Sequence, residues 1–248
     1  MLKRPTGIWN DLKETALSFL YEEQKGCLLC ESVAAAGTVI CPDCIQKYFH
    51  PELGRCHQCG KLIPHSQAKC KDCRDGIGPK GLDQVAAWGH YSGAWREWIQ
   101  AVKFKAQPYK LKRIARPLAD WAIRILPPPH YLVSVPMHFE RLAERGFNQA
   151  AVIASLLHWE LGIPILDVLE RTSITSPQVG LNRKERLHNL DGVFQVVNPR
   201  NLQAVRGAKI WLVDDVTTTG ATFEACAAAL KEKGAEEVLG LALAAGME

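Results

Sequence analysis

"WLVDDVTTTGATF", Trp211 to Phe223, is the stretch on which the reading of this chain turns. An apolar run, Ile210 to Val213, ends in two adjacent acids, Asp214 and Asp215. Val216, Thr217, Thr218, Thr219, Gly220, Ala221 and Thr222 follow. From about 221 to 233 the spacing is helical, and Gly234 closes it. The pattern predicts a strand over 209–215, a glycine turn and a helix. Successive N–H groups in such a turn converge on an anion. The positive end of the following helix points the same way, and the threonine hydroxyls add donors. This is a phosphate cradle without the lysine of a Walker loop. Two carboxylates would repel that phosphate at contact distance. Their natural targets are hydroxyls about one sugar-width away, to which they offer charge-assisted hydrogen bonds. A phosphate beside a diol describes a ribose 5-phosphate.

Strands and helices alternate outward from this point. "QVAAWGHY" (84–91), "YLVSV" (131–135), "PILDVL" (164–169), "VFQV" (193–196) and "EVLGLAL" (237–243) read as strands. "GAWREWIQAVKF" (93–104) sets Trp95, Trp98, Ile99 and Val102 on one helical face, a stripe that suits a core better than a base-stacking surface. "YKLKRIARPLADWAIRIL" (109–126) repeats the pattern with Leu111, Ile114, Leu118, Trp121, Ala122 and Ile125, interrupted by Pro117. A further helix is expected within 145–162. Apolar strands alternating with helices predict an α/β fold with a parallel sheet covered on both faces. Ligands of such sheets bind beyond the carboxyl ends of the strands, where Asp214 and Asp215 fall.

Eight of the nine cysteines lie in four C-x-x-C pairs: Cys27 and Cys30, Cys41 and Cys44, Cys56 and Cys59, Cys70 and Cys73. Shifting the first half by 29 positions superimposes all four of its cysteines on the second, an internal repeat. Two C-x-x-C turns close a tetrahedral four-thiolate site, and metal supplies folding energy that so short a stretch cannot draw from a core. Two structural zinc ions are therefore expected. The repeat favours sequential pairing, with a cross-braced pairing of alternate units as the other arrangement. His50, His57 and His65 are spare ligands. Cys226, in an Ala-rich helical pattern, reads as a small core residue.

The 248 residues carry a net charge of +4, and no apolar stretch approaches the roughly 20 residues of a membrane helix. The first 26 residues form an amphipathic segment without the features of a secretory signal, which predicts a cytoplasmic address. The double ribbon occupies 27–78, including most of the Gly/Pro linker "DGIGPKG" (75–81), and the α/β domain 79–248. Between Glu97 and Asp120 there is no acid but six bases. Lys103, Lys105, Lys112 and Arg113 are candidates for holding a nucleic-acid strand, against the default of a solvated helix face.

"LVDDVTTTGAT" resembles the phosphoribosyl-pyrophosphate (PRPP) motif of type I phosphoribosyltransferases. The resemblance implies that Asp214 and Asp215 hold the ribose hydroxyls and that Thr217, Thr218, Thr219, Gly220, Ala221 and Thr222 hold the 5-phosphate. "RLAERGFNQA" (141–150) and "RTSITSPQVGLNRKERLHNLDGVFQV" (171–196), behind a double zinc ribbon, are similar to the ComF family of competence and DNA-utilisation proteins. "KFKAQP" (103–108) departs from it, since members often carry a glycine near Ala106. The type I phosphoribosyltransferase fold is the implied architecture.

Arg141 and Arg145 follow a strand where such transferases bind pyrophosphate, and guanidinium forks match phosphate oxygens. Gln178, Arg183 and Arg186 fall on the expected lid. The implied chemistry is displacement of pyrophosphate from ribose C1 through an oxocarbenium-like state, with Mg²⁺ neutralising the leaving group and Asp214, Asp215 and Arg145 at its centre. His138 and His188 are marked by location only, surface histidine being the default. Three roles stay open: a transferase on an unidentified acceptor, a handler of imported single-stranded DNA beside a competence ATPase or helicase, and a PRPP-sensing regulator.

Overall fold

The computed structural model describes residues 26–35, 37–104, 107–172, 192–197 and 199–246. They fall into two compact units, one ending at Pro42 and one running from Asp43 to Glu248. Lys105, Gln178, Arg183, Arg186 and His188 lie outside the described residues.

The second unit is built on a parallel sheet of four strands in the order β3-β8-β7-β4, where β3 is Gln84–His90, β4 Tyr131–Ser134, β7 Lys209–Thr217 and β8 Glu237–Ala245. Interior β8 is buried at every position but Glu237, as a strand covered on both faces must be. Ile210, Leu212, Val85, Ala87 and Val133 pack in one core with Phe223, Cys226 and Leu230 of helix α8 (Ala221–Glu232). Trp211, one position out of phase, donates its indole N–H to the Pro127 carbonyl at 2.8 Å. Full burial of a side chain the size of Phe223 contributes roughly 2–3 kcal/mol. Cys226 is fully buried, the core residue expected.

Helix α3 (Gly93–Phe104) buries Trp95, Trp98, Ile99 and Val102, so the aromatic stripe is core. The next segment divides. Pro108–Ile114 is a 3-10 helix, and α4 (Ala115–Ile125) restarts with Pro117 in its first turn, where a missing N–H costs nothing. Ile125, expected on the buried face, is 41% exposed at the last position of α4.

The predicted strand over 164–169 is mostly absent. Ile165 makes an isolated parallel bridge to Leu132. The chain then leaves the sheet, and β5 (Leu169–Arg171) pairs antiparallel with β6 (Phe194–Val196) in a separate ribbon. Buried Leu169 and Phe194 alternate with exposed Glu170 and Gln195, a pattern for a half-solvated antiparallel pair rather than a buried parallel strand.

The second half of the cysteine repeat belongs to this same unit. It comprises β1 (Gly54–Arg55), β2 (Leu62–Ile63) and the short helix α2 (Lys71–Arg74), after helix α1 (Pro42–Tyr48). It covers β3, which is the sheet's edge. Val85 N–H donates to the His57 carbonyl at 2.7 Å. Arg55 reaches across and donates to the carbonyls of Ala87, Trp88, Leu53, Gly54 and Phe49. Burial lowers its guanidinium to about 10. A sheet edge left bare is a template for wrong pairing, and this one is closed by a side chain and a knuckle.

Candidate ligand site and metal centres

Cys56, Cys59, Cys70 and Cys73 are all buried, with their sulfurs within 4.8 Å of one another. Cys59 Sγ lies 3.5 Å from Cys70 Sγ. A tetrahedral zinc with bonds of ~2.3 Å sets its sulfurs about 3.8 Å apart, so the donor set fits. The thiols cannot all ionise by themselves. Cys56 falls to about 4, chiefly through the hydrogen bond from Cys59, while burial pushes Cys73 up to about 12. A dication in their midst removes that conflict. This closed set decides the pairing: it is sequential, not cross-braced, which leaves Cys27, Cys30, Cys41 and Cys44 as the remaining four. Within the first unit, Cys30 Sγ is 3.6 Å from Cys41 Sγ, and Cys41 N–H donates to Cys27 Sγ. His50, His57 and His65 stand in neither set.

Asp214 and Asp215 lie inside β7, which runs on to Thr217 before the turn. Asp214 pairs in register with Ala242, and Thr217 with Ala245, at the carboxyl end of the sheet. Thr217 is buried, Thr218 exposed and Thr219 half-buried. Gly220 takes the left-handed conformation, φ 75°, and α8 starts beyond it. Thr219 Oγ1 accepts from Ala221 N–H at 3.4 Å, and Thr222 stands in the first turn of α8. Asp215 N–H donates to Asp214 Oδ1 at 2.8 Å, which holds the Asp214 carboxyl against the Asp215 backbone. Burial, and then the Asp215 charge, push Asp214 up to about 8.

Lys103 is the residue that sequence reasoning misplaced. Its Nζ lies 2.8 Å from Asp215 Oδ2, with side-chain exposures of 18% and 12%. It is part of the acidic site, not of an open basic face. The signal was its position four residues after buried Ile99, on the flank of the buried stripe. Of the other bases, Arg116 pairs with Asp120 and Glu160. Lys112 is exposed and Arg113 half-buried. Phe104 and Tyr109 beside them are 71% and 50% exposed.

The loop after β4 is two helices rather than one. α5 (Phe139–Arg145) ends at left-handed Gly146, and α6 (Gln149–Leu161) begins after Asn148, whose Oδ1 caps Ala150 N–H at 3.0 Å. Asn148 Nδ2 also donates to the Val135 carbonyl, which ties this loop to the end of β4. Arg141 is exposed. Arg145 is more constrained. It donates to Gln149 Oε1 at 3.1 Å, and its guanidinium lies 5.0 Å from the Phe104 ring centroid. Burial lowers it, and the Asp215 charge opposes the shift. Gln149 was not anticipated. It is buried, its Nε2 and Trp98 Nε1 have no partner among the described residues, and the Gln149 and Trp98 side chains line a narrow crevice together with Lys103 and Asp215. His138 is no surface residue. It is 5% exposed, and its Nδ1 accepts from Glu140 N–H as the cap of α5.

Comparison with known proteins bears on the fold and the cysteine groups. Residues 16–74 match the double zinc ribbon domain family and residues 142–248 the phosphoribosyl transferase domain family. The chain is 31% identical to competence protein F of Haemophilus influenzae, over 74% of this chain and 81% of the relative. It is 28% identical to the DNA utilization protein YhgH of Escherichia coli, over 86% and 93%. It is also 28% identical to competence protein ComFC of Bacillus subtilis, over 84% and 89%. Among the described residues, no helix is long and apolar enough to cross a membrane.

Proposed function

Since the chain belongs to the ComF family, with a phosphoribosyltransferase-type domain behind a double zinc ribbon, we propose that it binds PRPP at the carboxyl end of β7 and acts in the handling of imported single-stranded DNA. The observation that carries this reading is the pair Asp214–Asp215 near the end of an interior strand, Asp214 held by the Asp215 N–H and Asp215 by Lys103, and followed by a left-handed turn and a helix N-terminus. The carboxylates accept from the ribose 2- and 3-hydroxyls. The N–H groups and hydroxyls of Thr217 to Thr222 take the 5-phosphate. Arg145, clamped by Gln149 and Phe104, faces the diphosphate with Arg141.

Lys103 has two tasks in this scheme. Without ligand it neutralises Asp215. With PRPP bound, its ammonium moves to the diphosphate oxygens, leaving Asp215 to the ribose. Both tasks keep charge balanced in a half-buried site, where an unpaired charge is costly. Asp214 and Asp215 would hold a magnesium ion accompanying the diphosphate, and the ion would supply neutralisation of the leaving group. The strand-binding role rests on exposed Phe104 and Tyr109 beside Lys112 and Arg113, aromatic faces amid positive charge. A cytoplasmic site of action and a competence ATPase or helicase as partner complete the reading.

The test is calorimetric titration of PRPP into the zinc-loaded protein, with and without Mg²⁺, beside the Asp214→Asn/Asp215→Asn double variant. Saturable binding that disappears in the variant, at unchanged zinc content, is the expected result. Equal affinity in the two proteins removes the site.

A further inference from the structure

We infer that Gln58 and Pro79, which belong to the ribbon and its linker, are positioning residues for the 5-phosphate turn, an inference that rests on the reading of that turn given above. A β-carbon built on Gly220 would stand 2.6 Å from Pro79 Cγ and 2.8 Å from Pro79 Cβ. The pyrrolidine ring thus lies directly on the glycine backbone. Gly220 is glycine for two reasons, its φ of 75° and this contact.

Pro79 is itself held. It is buried, and its carbonyl accepts from Gln58 Nε2 at 2.8 Å. Gln58 stands inside the Cys56–Cys59 knuckle, which His57 fastens to β3 through Val85 N–H. On the other side, Ile77 and Gly78 both donate their N–H groups to the Asp72 carbonyl, at 2.7 and 3.2 Å. Gly78 packs so closely on Cys73 that a β-carbon there would overlap the sulfur. The segment 77–79, which composition marks as a linker, is a strut fixed at three points to the second cysteine group. Proline adds a locked φ at its tip. A turn that binds phosphate through backbone N–H groups gains affinity when those groups are already oriented, and the strut supplies that orientation from outside the site.

The decisive experiment titrates ribose 5-phosphate, PRPP and free diphosphate into the full chain and into Gln58→Ala and Pro79→Ala. Zinc content is measured alongside, with hydrogen exchange of the turn at Thr218 to Thr222. Loss of one hydrogen bond should weaken both ribose phosphates about three- to tenfold, speed exchange in the turn, and leave diphosphate affinity and zinc content unchanged. Pro79→Ala keeps the carbonyl and removes only the ring, so it decides the matter should Gln58→Ala lose its zinc. Unchanged ribose 5-phosphate affinity with unchanged exchange overturns the inference. An equal fall for diphosphate, a mark of general loosening, overturns it as well. If the unaltered protein binds no ribose phosphate, the functional reading fails, and exchange in the turn alone then decides the strut: faster in the variants upholds it, unchanged removes it.

Discussion

Lys103 Nζ lies 2.8 Å from Asp215 Oδ2, joining the end of α3 to the end of β7 across a crevice lined also by Trp98 and Gln149. The ion pair is neither exposed nor fully enclosed, so its removal should cost about 1–3 kcal/mol, between the surface and buried limits. Lys103→Met should also weaken PRPP by about tenfold or more. It should leave ribose 5-phosphate, which has no diphosphate, bound as well or better. Parallel calorimetry with the two ligands checks this. An equal loss for both would place Lys103 outside diphosphate binding.

Asp214 carries a pH signature. Burial raises its carboxyl from 3.8 to about 8, so the folded protein prefers it protonated. The stability this gives is complete below about pH 4 and is lost as pH rises through 8. Asp214→Asn should therefore unfold at a higher temperature than the parent at pH 8–9, with the gap closing toward pH 4. Thermal melts across that range measure it. A gap that widens on acidification would contradict the assignment.

Arg55 donates to five carbonyls, two of them, Ala87 and Trp88, on the edge strand of the sheet. Lysine cannot reproduce a planar fork, so Arg55→Lys should leave several buried carbonyls unpaired and destabilise by about 2–4 kcal/mol. Urea titration of the two proteins gives the number.

Removal of one thiol from the second cysteine group should act on the whole transferase unit, because that group covers β3. Cys70→Ser should lower the zinc content by one ion per chain and lower the melting temperature of the sheet. Metal analysis with near-ultraviolet circular dichroism of the buried tryptophans checks both. Zinc loss without a change in melting would separate the ribbon from the sheet's stability.

For the strand-binding surface, Lys112→Glu with Arg113→Glu should weaken single-stranded DNA binding and flatten its salt dependence, while PRPP affinity stays as it was. Lys103 is left out of that variant, because it belongs to the other site. Fluorescence anisotropy at several salt concentrations reads the effect.

The acids, the threonine turn and the repeat of cysteines were legible because each is local. Strand, carboxylates, glycine and helix follow one another within Trp211 to Phe223, and the four-thiol sets are written in spacing. Lys103 was not legible in this sense. Its nearest bases in sequence suggest a solvated face, whereas its partner lies 112 positions away in Asp215. The same holds for the strut, since nothing in "DGIGPKG" tells that Pro79 rests on Gly220. The stretch from 164 to 169 misled for another reason. Short apolar runs fit a sheet strand or a ribbon strand equally, and only the alternation across Leu169, Glu170 and Arg171 separates them.

The order of strands has a consequence for synthesis. β8 lies in the interior of the sheet, between β3 and β7, and it leaves the ribosome after both. Its register joins Leu241 to Ala86, and Leu241 also to Val213. Until it is made, β3 and β7 have no common neighbour, and the nascent chain holds two unjoined halves with the sides meant for β8 uncovered. Such distant pairing slows folding and prolongs exposure to aggregation. Zinc held by the early cysteines would give the growing chain a first ordered piece while it waits for the strand that closes the sheet.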